Sequence, residues 1–258
     1  MRSDPSMFMY RPLGGGRYLA TEHTQSPWDP AMQHLGPVTA LIVHELGTSE
    51  LPLARLVVEI FGPVPLAEVE VATSVLRDGK RVQCLGASVS SGGREYVRAT
   101  AWRIREANTP PTTVAGPPPL PAGPTPPPGE SWLTSGFGYG RAMDWRFAAG
   151  SPDETGPATV WGRSRAVLVE GEEPTPLERL AVLADSGNGV SHALDFATHV
   201  FVNVDLTISL FRAPEGEWMC LGAETVIGPA GRGLVRTRLF DRAGEVGVAT
   251  QTLFVAPR

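Results

Sequence analysis

Thr175-Pro176-Leu177-Glu178-Arg179-Leu180-Ala181-Val182-Leu183-Ala184-Asp185, followed by Ser186-Gly187-Asn188-Gly189, is the stretch on which the architecture turns. Thr175 and Glu178 have the spacing of a capping box. Pro176 stands at the first helical position, where its missing N–H is not needed. Such a cap is worth ~1 kcal/mol. Leu177, Leu180 and Ala184 share one face, and the Ser-Gly-Asn-Gly run stops the pattern, so a helix is expected from Pro176 to about Asp185. Around it the chain reads as strands. One strand-like run precedes it at Ala158–Val169, and four follow at His199–Phe211, Glu217–Ile227, Gly233–Asp241 and Glu245–Val255. Pro229-Ala230-Gly231 and Ala243-Gly244 supply turns.

Further out, the first half repeats this order. A short strand is expected near Arg17–His23 and a helix from Pro37 to about Leu46. Strand-like runs follow at Ala54–Phe61, Glu68–Leu76, Arg81–Ser90 and Arg94–Ile104, with turns at Asp78-Gly79 and Gly92-Gly93. One helix beside an antiparallel meander in each half predicts an α+β protein of two tandem units, each a curved antiparallel sheet wrapped around a central helix. Cys84-Leu85-Gly86-Ala87 recurs as Cys220-Leu221-Gly222-Ala223. Aligning the halves by element order instead sets Ala99-Thr100 opposite Ala249-Thr250 and puts the tetrapeptide on non-equivalent strands, so that match is coincidental. Residues 107 to 131 carry ten of the 25 prolines and predict a semi-rigid linker between domains at 1–106 and 132–258.

Bulk properties narrow the function classes. A net charge of -5, with 42% hydrophobic and 19% charged residues, gives no basis for nucleic acid or a membrane as partner. Met1–Leu13 lacks an apolar core of signal-peptide length, and no run of eighteen apolar residues is present. Cys84 and Cys220 stand alone in strand-like runs, which suits a reducing, cytoplasmic setting. His23, His34, His44, His192 and His199 lack the spacing of a metal site. There is no G-x-S-x-G, and Gly14-Gly15-Gly16 lacks the lysine and context of a phosphate loop. What remains is a small polar set in apolar surroundings: Asp185 at the helix end, Asn203 and Asp205 in Val200–Leu206, and Gln251 in Gly247–Phe254. A carboxylate and two amides can hold one water, the carboxylate taking its proton and the amides orienting it.

Those residues carry a resemblance. Leu180-Ala181-Val182-Leu183-Ala184-Asp185-Ser186-Gly187-Asn188-Gly189-Val190 resembles the catalytic helix of acyl-CoA thioesterase II proteins, which have two fused hotdog domains. Phe201-Val202-Asn203-Val204-Asp205-Leu206-Thr207 is similar to the strand after that helix. Ala249-Thr250-Gln251-Thr252-Leu253-Phe254-Val255 is similar to the family's last strand. Gln33-His34-Leu35-Gly36-Pro37 and Arg98-Ala99-Thr100-Ala101-Trp102 extend the likeness over nearly the whole chain.

The resemblance implies a double hotdog fold and hydrolysis of an acyl-CoA or related acyl thioester, a reaction of lipid metabolism, without an acyl-enzyme, cofactor or metal. Asp185 and Gln251 take the places of the family's aspartate and glutamine, and Asn203 falls where the family has threonine or serine. The thioester carbonyl would meet the start of the first helix, with the Gly36 backbone N–H as oxyanion donor and His34 beside it. Ala101 aligns with Gln251, so the first half is expected to lack a site of its own. Such units commonly pair through exposed sheet, so a homo-oligomer is expected. Two alternatives stay open: an acyl-binding or scaffold protein with a dulled site, and a hydratase, which needs a paired aspartate and histidine.

Overall fold

The computed structural model describes residues 4–110 and 129–258. The first half contains β1 (Asp4–Gly14), β2 (Arg17–Ala20), a 3-10 turn (Glu22–Thr24), α1 (Leu35–Leu46), β3 (Leu53–Ile60), β4 (Glu68–Arg77), β5 (Val82–Ser91) and β6 (Arg94–Ile104). In the second half are α2 (Trp132–Ser135), α3 (Gly138–Arg141), β7 (Met143–Ala149), β8 (Ala158–Ser164), β9 (Ala166–Val169), α4 (Pro176–Ala184), α5 (Gly187–Val190), β10 (His199–Asn203), β11 (Asp205–Leu210), β12 (Met219–Ile227), β13 (Arg232–Asp241) and β14 (Gly244–Pro257). Of the linker expected over 107–131, residues 111–128 lie outside the described residues. Among the described residues no helix is long and apolar enough to cross a membrane.

The strands form one sheet because β3 of the first half and β11 of the second pair edge to edge. The order is β7-β8-β12-β13-β14-β11-β3-β6-β5-β4-β2-β1-β9, with β10 also paired to β14. The halves meet where β11 runs antiparallel to β3, Thr207 opposite Val57. The sheet then nearly closes. β8 and β9 are separated only by Arg165, yet β8 lies near one end of the order and β9 pairs in parallel with β1 at the other. Strands bury alternate residues, as β13 does with Val235, Thr237 and Leu239, so their inner faces line one interior.

The helices α1 and α4 fill that interior and pack on each other. A Cβ at Gly36 would stand 2.1 Å from the Val182 carbonyl oxygen, so this close approach requires glycine. Leu41, Ile42, Leu180 and Leu183 are completely buried there. The capping box at Thr175 and Glu178 is present as the spacing predicts. Glu178 also pairs with His44, tying α4 to α1 at 2.9 Å. Two units, each with a curved antiparallel sheet around a helix, make the double hotdog fold the resemblance implied.

Several boundaries differ from the sequence reading. The first helix begins at Leu35, two residues before the expected Pro37, because His34 caps it through its Nδ1. The run His199–Phe211 breaks at Val204, where the chain passes from β10 to β11. β1 and β7 went unrecognised. In β1 consecutive Met9 and Tyr10 are both completely buried, so no alternation marks the strand.

Candidate active site

Asp185 is the C-cap of α4, in right-handed helical geometry. The helix therefore delivers its carboxylate into the interior, where the residue is only 6% exposed. A buried carboxylate needs partners, and the sheet supplies them. Asn203, the last residue of β10, lies opposite Leu253 of β14, two positions beyond Gln251, so both amides come from one neighbourhood of the inner sheet face. Asn203 Nδ2 donates to Asp185 Oδ1 at 2.8 Å and Gln251 Nε2 donates to the same oxygen at 2.9 Å. The three residues expected to act together are thus in direct contact.

Their roles in the geometry differ. Gln251 is 1% exposed and does not line the cavity that reaches Asp185. Its Nε2 also donates to the Asp185 carbonyl at 3.1 Å, and its Oε1 accepts the Asn188 N–H at 3.1 Å. With both ends engaged, Gln251 holds Asp185 in place. Asn203 does line the cavity. Its Nδ2 serves Asp185 and the Asp205 carbonyl, and among the described residues no group donates to its Oδ1. Gly187 gives α5 room here: a Cβ would meet Thr237 Oγ1 at 2.5 Å and Gln251 Oε1 at 3.2 Å.

The other carboxylate oxygen faces the first half of the chain. His34 Nδ1 lies 3.2 Å from Asp185 Oδ2 and 3.1 Å from the Gly36 nitrogen. One ring nitrogen cannot serve both as donor to a carboxylate and as acceptor of an N–H. With a proton on Nδ1 the imidazole binds Asp185 and leaves the Gly36 N–H uncapped. Without one, it caps Gly36. Burial lowers the His34 pKa below its ordinary value, although the nearby Asp185 charge opposes the shift, so the ring is neutral near neutral pH. Gly36 itself does not line the cavity; Leu35, one residue earlier, does.

Tyr139 was not anticipated. Its ring stacks on His34 with centroids 4.0 Å apart, and its hydroxyl donates to the Val182 carbonyl at 2.9 Å beside Ser186 Oγ at 2.8 Å. Burial raises its pKa. It fixes the imidazole against the end of α4. The cavity has a volume of about 460 Å³, within the range of small-molecule sites. Aromatic rings from Trp28, Phe61, Trp132, Phe137 and Phe196 wall it. No residue near Trp132 had marked this wall in the sequence, although Trp132, Phe137 and Tyr139 cluster closely.

Among the described residues the first half has no counterpart of this cluster. Ala101 stands opposite Leu85 as Gln251 stands opposite Val235, and Leu53 opposite Arg103 as Asn203 opposite Leu253. His44 follows the cap of α1 at the same step as Asp185 follows that of α4. Asp205 accepts from the Thr252 N–H and Asp195 from the Ala197 N–H, so both support local backbone.

Two family models match the chain. The acyl-CoA thioesterase N-terminal domain matches residues 24–104 and the acyl-CoA thioesterase C-terminal domain residues 115–255. No curated protein sequence matches the chain. Among solved structures, a protein provisionally assigned as a thioesterase II from Thermobifida fusca is 18% identical with a TM-score of 0.77, over 99% of this chain and 98% of that one. A hotdog-fold protein of unknown function from Alicyclobacillus acidocaldarius is 15% identical with a TM-score of 0.74, over 95% of each chain. The acyl-CoA thioesterase II of Mycobacterium marinum is 15% identical with a TM-score of 0.67, over 96% of this chain and 95% of that one. At such identities the likeness speaks for the fold.

Proposed function

The chain belongs to the acyl-CoA thioesterase family, and from that premise we propose that it hydrolyses an acyl-CoA or related acyl thioester to the free acid and the thiol, with Asp185 as the base that activates water. One observation carries the reading. A nearly buried carboxylate has one oxygen held by two amide donors, while the residue lines an apolar cavity. That arrangement fixes the carboxylate's direction without neutralising it, which suits a general base.

In this mechanism a water sits between Asp185 and Asn203 Oδ1. It gives a proton to Asp185 as its oxygen attacks the thioester carbonyl carbon. The carbonyl oxygen gathers charge at the start of α1, where Leu35 lines the cavity. With its proton on Nδ1, His34 holds Asp185 Oδ2 and no longer caps the Gly36 N–H. The tetrahedral intermediate expels the thiolate as the C–S bond breaks, and the proton on Asp185 passes to sulfur.

The test is thiol release from short- to long-chain acyl-CoAs by the wild type and Asp185→Asn. A loss on the order of 100-fold or more, with unchanged melting, is expected if the carboxylate is the base. Equal turnover removes Asp185 from the mechanism. Tight acyl-CoA binding without turnover in the wild type would instead mark a holding protein.

A further inference from the structure

The cavity at Asp185 ends on a wall that it shares with a neighbour. A second hollow adjoins it, and Pro27, Trp28, Trp132, Phe137 and Phe196 line both. These residues form a partition of interlocked rings. Trp132 and Phe196 have centroids 4.7 Å apart, Trp28 and Phe196 5.3 Å, and Trp132 stacks on Phe137 at 6.0 Å. Trp132 and Phe196 are partly exposed, not core residues. The partition is held from outside, by Trp132 Nε1 donating to the Pro152 carbonyl at 2.5 Å and by Arg258 Nε donating to the Phe196 carbonyl at 2.8 Å.

Charge gives the cavity a direction. Among the described residues no arginine or lysine lines it; the carboxylates lining it are Asp29 and Asp185. The hollow behind the partition adds Asp153 and Asp195 against Arg258 alone. At a different part of the rim, Arg98 lies 5.4 Å from the Phe61 ring and the Arg94 guanidinium lies against Gly62. Both arginines are exposed; Arg98 is paired with Glu95, and among the described residues Arg94 has no carboxylate partner. An anionic nucleotide portion is therefore favoured at Phe61 and Gly62, which leaves the aromatic end for the acyl group.

We propose that the ring partition is the end stop of the acyl site, that Trp132 and Phe196 set the accepted chain length, and that the substrate class is a medium-length, uncharged acyl group. At ~30 Å³ per water-sized group, the cavity with a carbonyl seated at Asp185 admits on the order of ten carbons. A carboxylate at the distal end would meet no lysine or arginine among the described residues lining the cavity. The inference rests on the thioesterase reading, because that reading puts the carbonyl at Asp185.

Calorimetry with non-hydrolysable S-alkyl-CoA thioethers of graded length separates the two. For the wild type, affinity is expected to rise ~4-fold per methylene and to break near the predicted length. In Trp132→Ala and Phe196→Ala the break moves outward by two or more carbons. Phe196→Leu, a smaller change, moves it less and guards against loss of folding. An unmoved break in folded variants overturns the inference, as does equal affinity for a thioether ending in a carboxylate. Absent turnover with a moving break would remove hydrolysis and leave the partition standing. Turnover with an unmoved break would do the reverse.

Discussion

Asn203 and Gln251 both donate to Asp185 Oδ1, yet only Asn203 reaches the cavity. Their substitutions should therefore separate. Gln251→Leu leaves the Asn188 N–H without its acceptor and the Asp185 carbonyl without its donor, inside a completely packed region. It should cost about 1–3 kcal/mol of stability, seen as a lower denaturation midpoint, together with activity. Asn203→Ala should leave the midpoint nearly in place and lower kcat, because it removes a group facing the water. Equal stability losses would contradict this division. The sequence already singled out Asp185, Asn203 and Gln251, since polar residues stand out in apolar strands. It could not separate a residue that touches water from one that holds the base, because that depends on which side of the carboxylate each amide approaches. Nor could it place His34 against Asp185, because their contact joins elements 151 positions apart in the chain.

The helices were legible because their punctuation is local. Thr175, Pro176 and Glu178 mark the start of α4 within four residues. The start of α1 was displaced because histidine is an unusual cap, and its ring nitrogen takes the part usually played by a hydroxyl or carboxylate. Gly36 read from sequence as a turn glycine or oxyanion donor. In the fold it is first a contact point between helices. Gly36→Ala would force the Val182 carbonyl and α1 apart. Melting should show a loss of roughly 1–3 kcal/mol, and activity should fall because α1 and α4 carry His34 and Asp185. An unchanged midpoint would mean that the helices part freely, contrary to the packing described. β1 is hidden for the opposite reason, its burial being set partly by β9, far along the chain, whereas β7 does alternate apolar and polar residues from Met143 to Phe147.

At the scale of the molecule, one sheet around two antiparallel-packed helices leaves the ion pair His44–Glu178 as a link between the halves. The His44 pKa is raised, chiefly by its hydrogen bond to Glu178, with burial opposing and the charges of Glu178, Glu172 and Glu45 assisting; Tyr18 packs on its ring. A histidine raised on folding stabilises fully below its unfolded value of 6.5 and loses that contribution as pH rises through the folded value. Burial acts to raise Glu178, but hydrogen bonds from His44 and Thr175 outweigh it and hold the carboxyl low, so its contribution is lost only in acid. The wild-type Tm should fall from about pH 6 to about pH 9 more steeply than that of His44→Gln; parallel profiles would show the link to be silent. Among the described residues the same architecture holds one complete carboxylate–amide cluster, and the central claim is that water, not Asp185, attacks the thioester there. A single turnover in ¹⁸O-water with excess enzyme, read together with the mass of the quenched enzyme so that an acylated Asp185 is seen, decides it. Direct attack places ¹⁸O in the acid released in that first turnover and leaves the Asp185 side chain unlabelled. Unlabelled acid with ¹⁸O carried into Asp185 would mean that the carboxylate itself was acylated, and would contradict the mechanism.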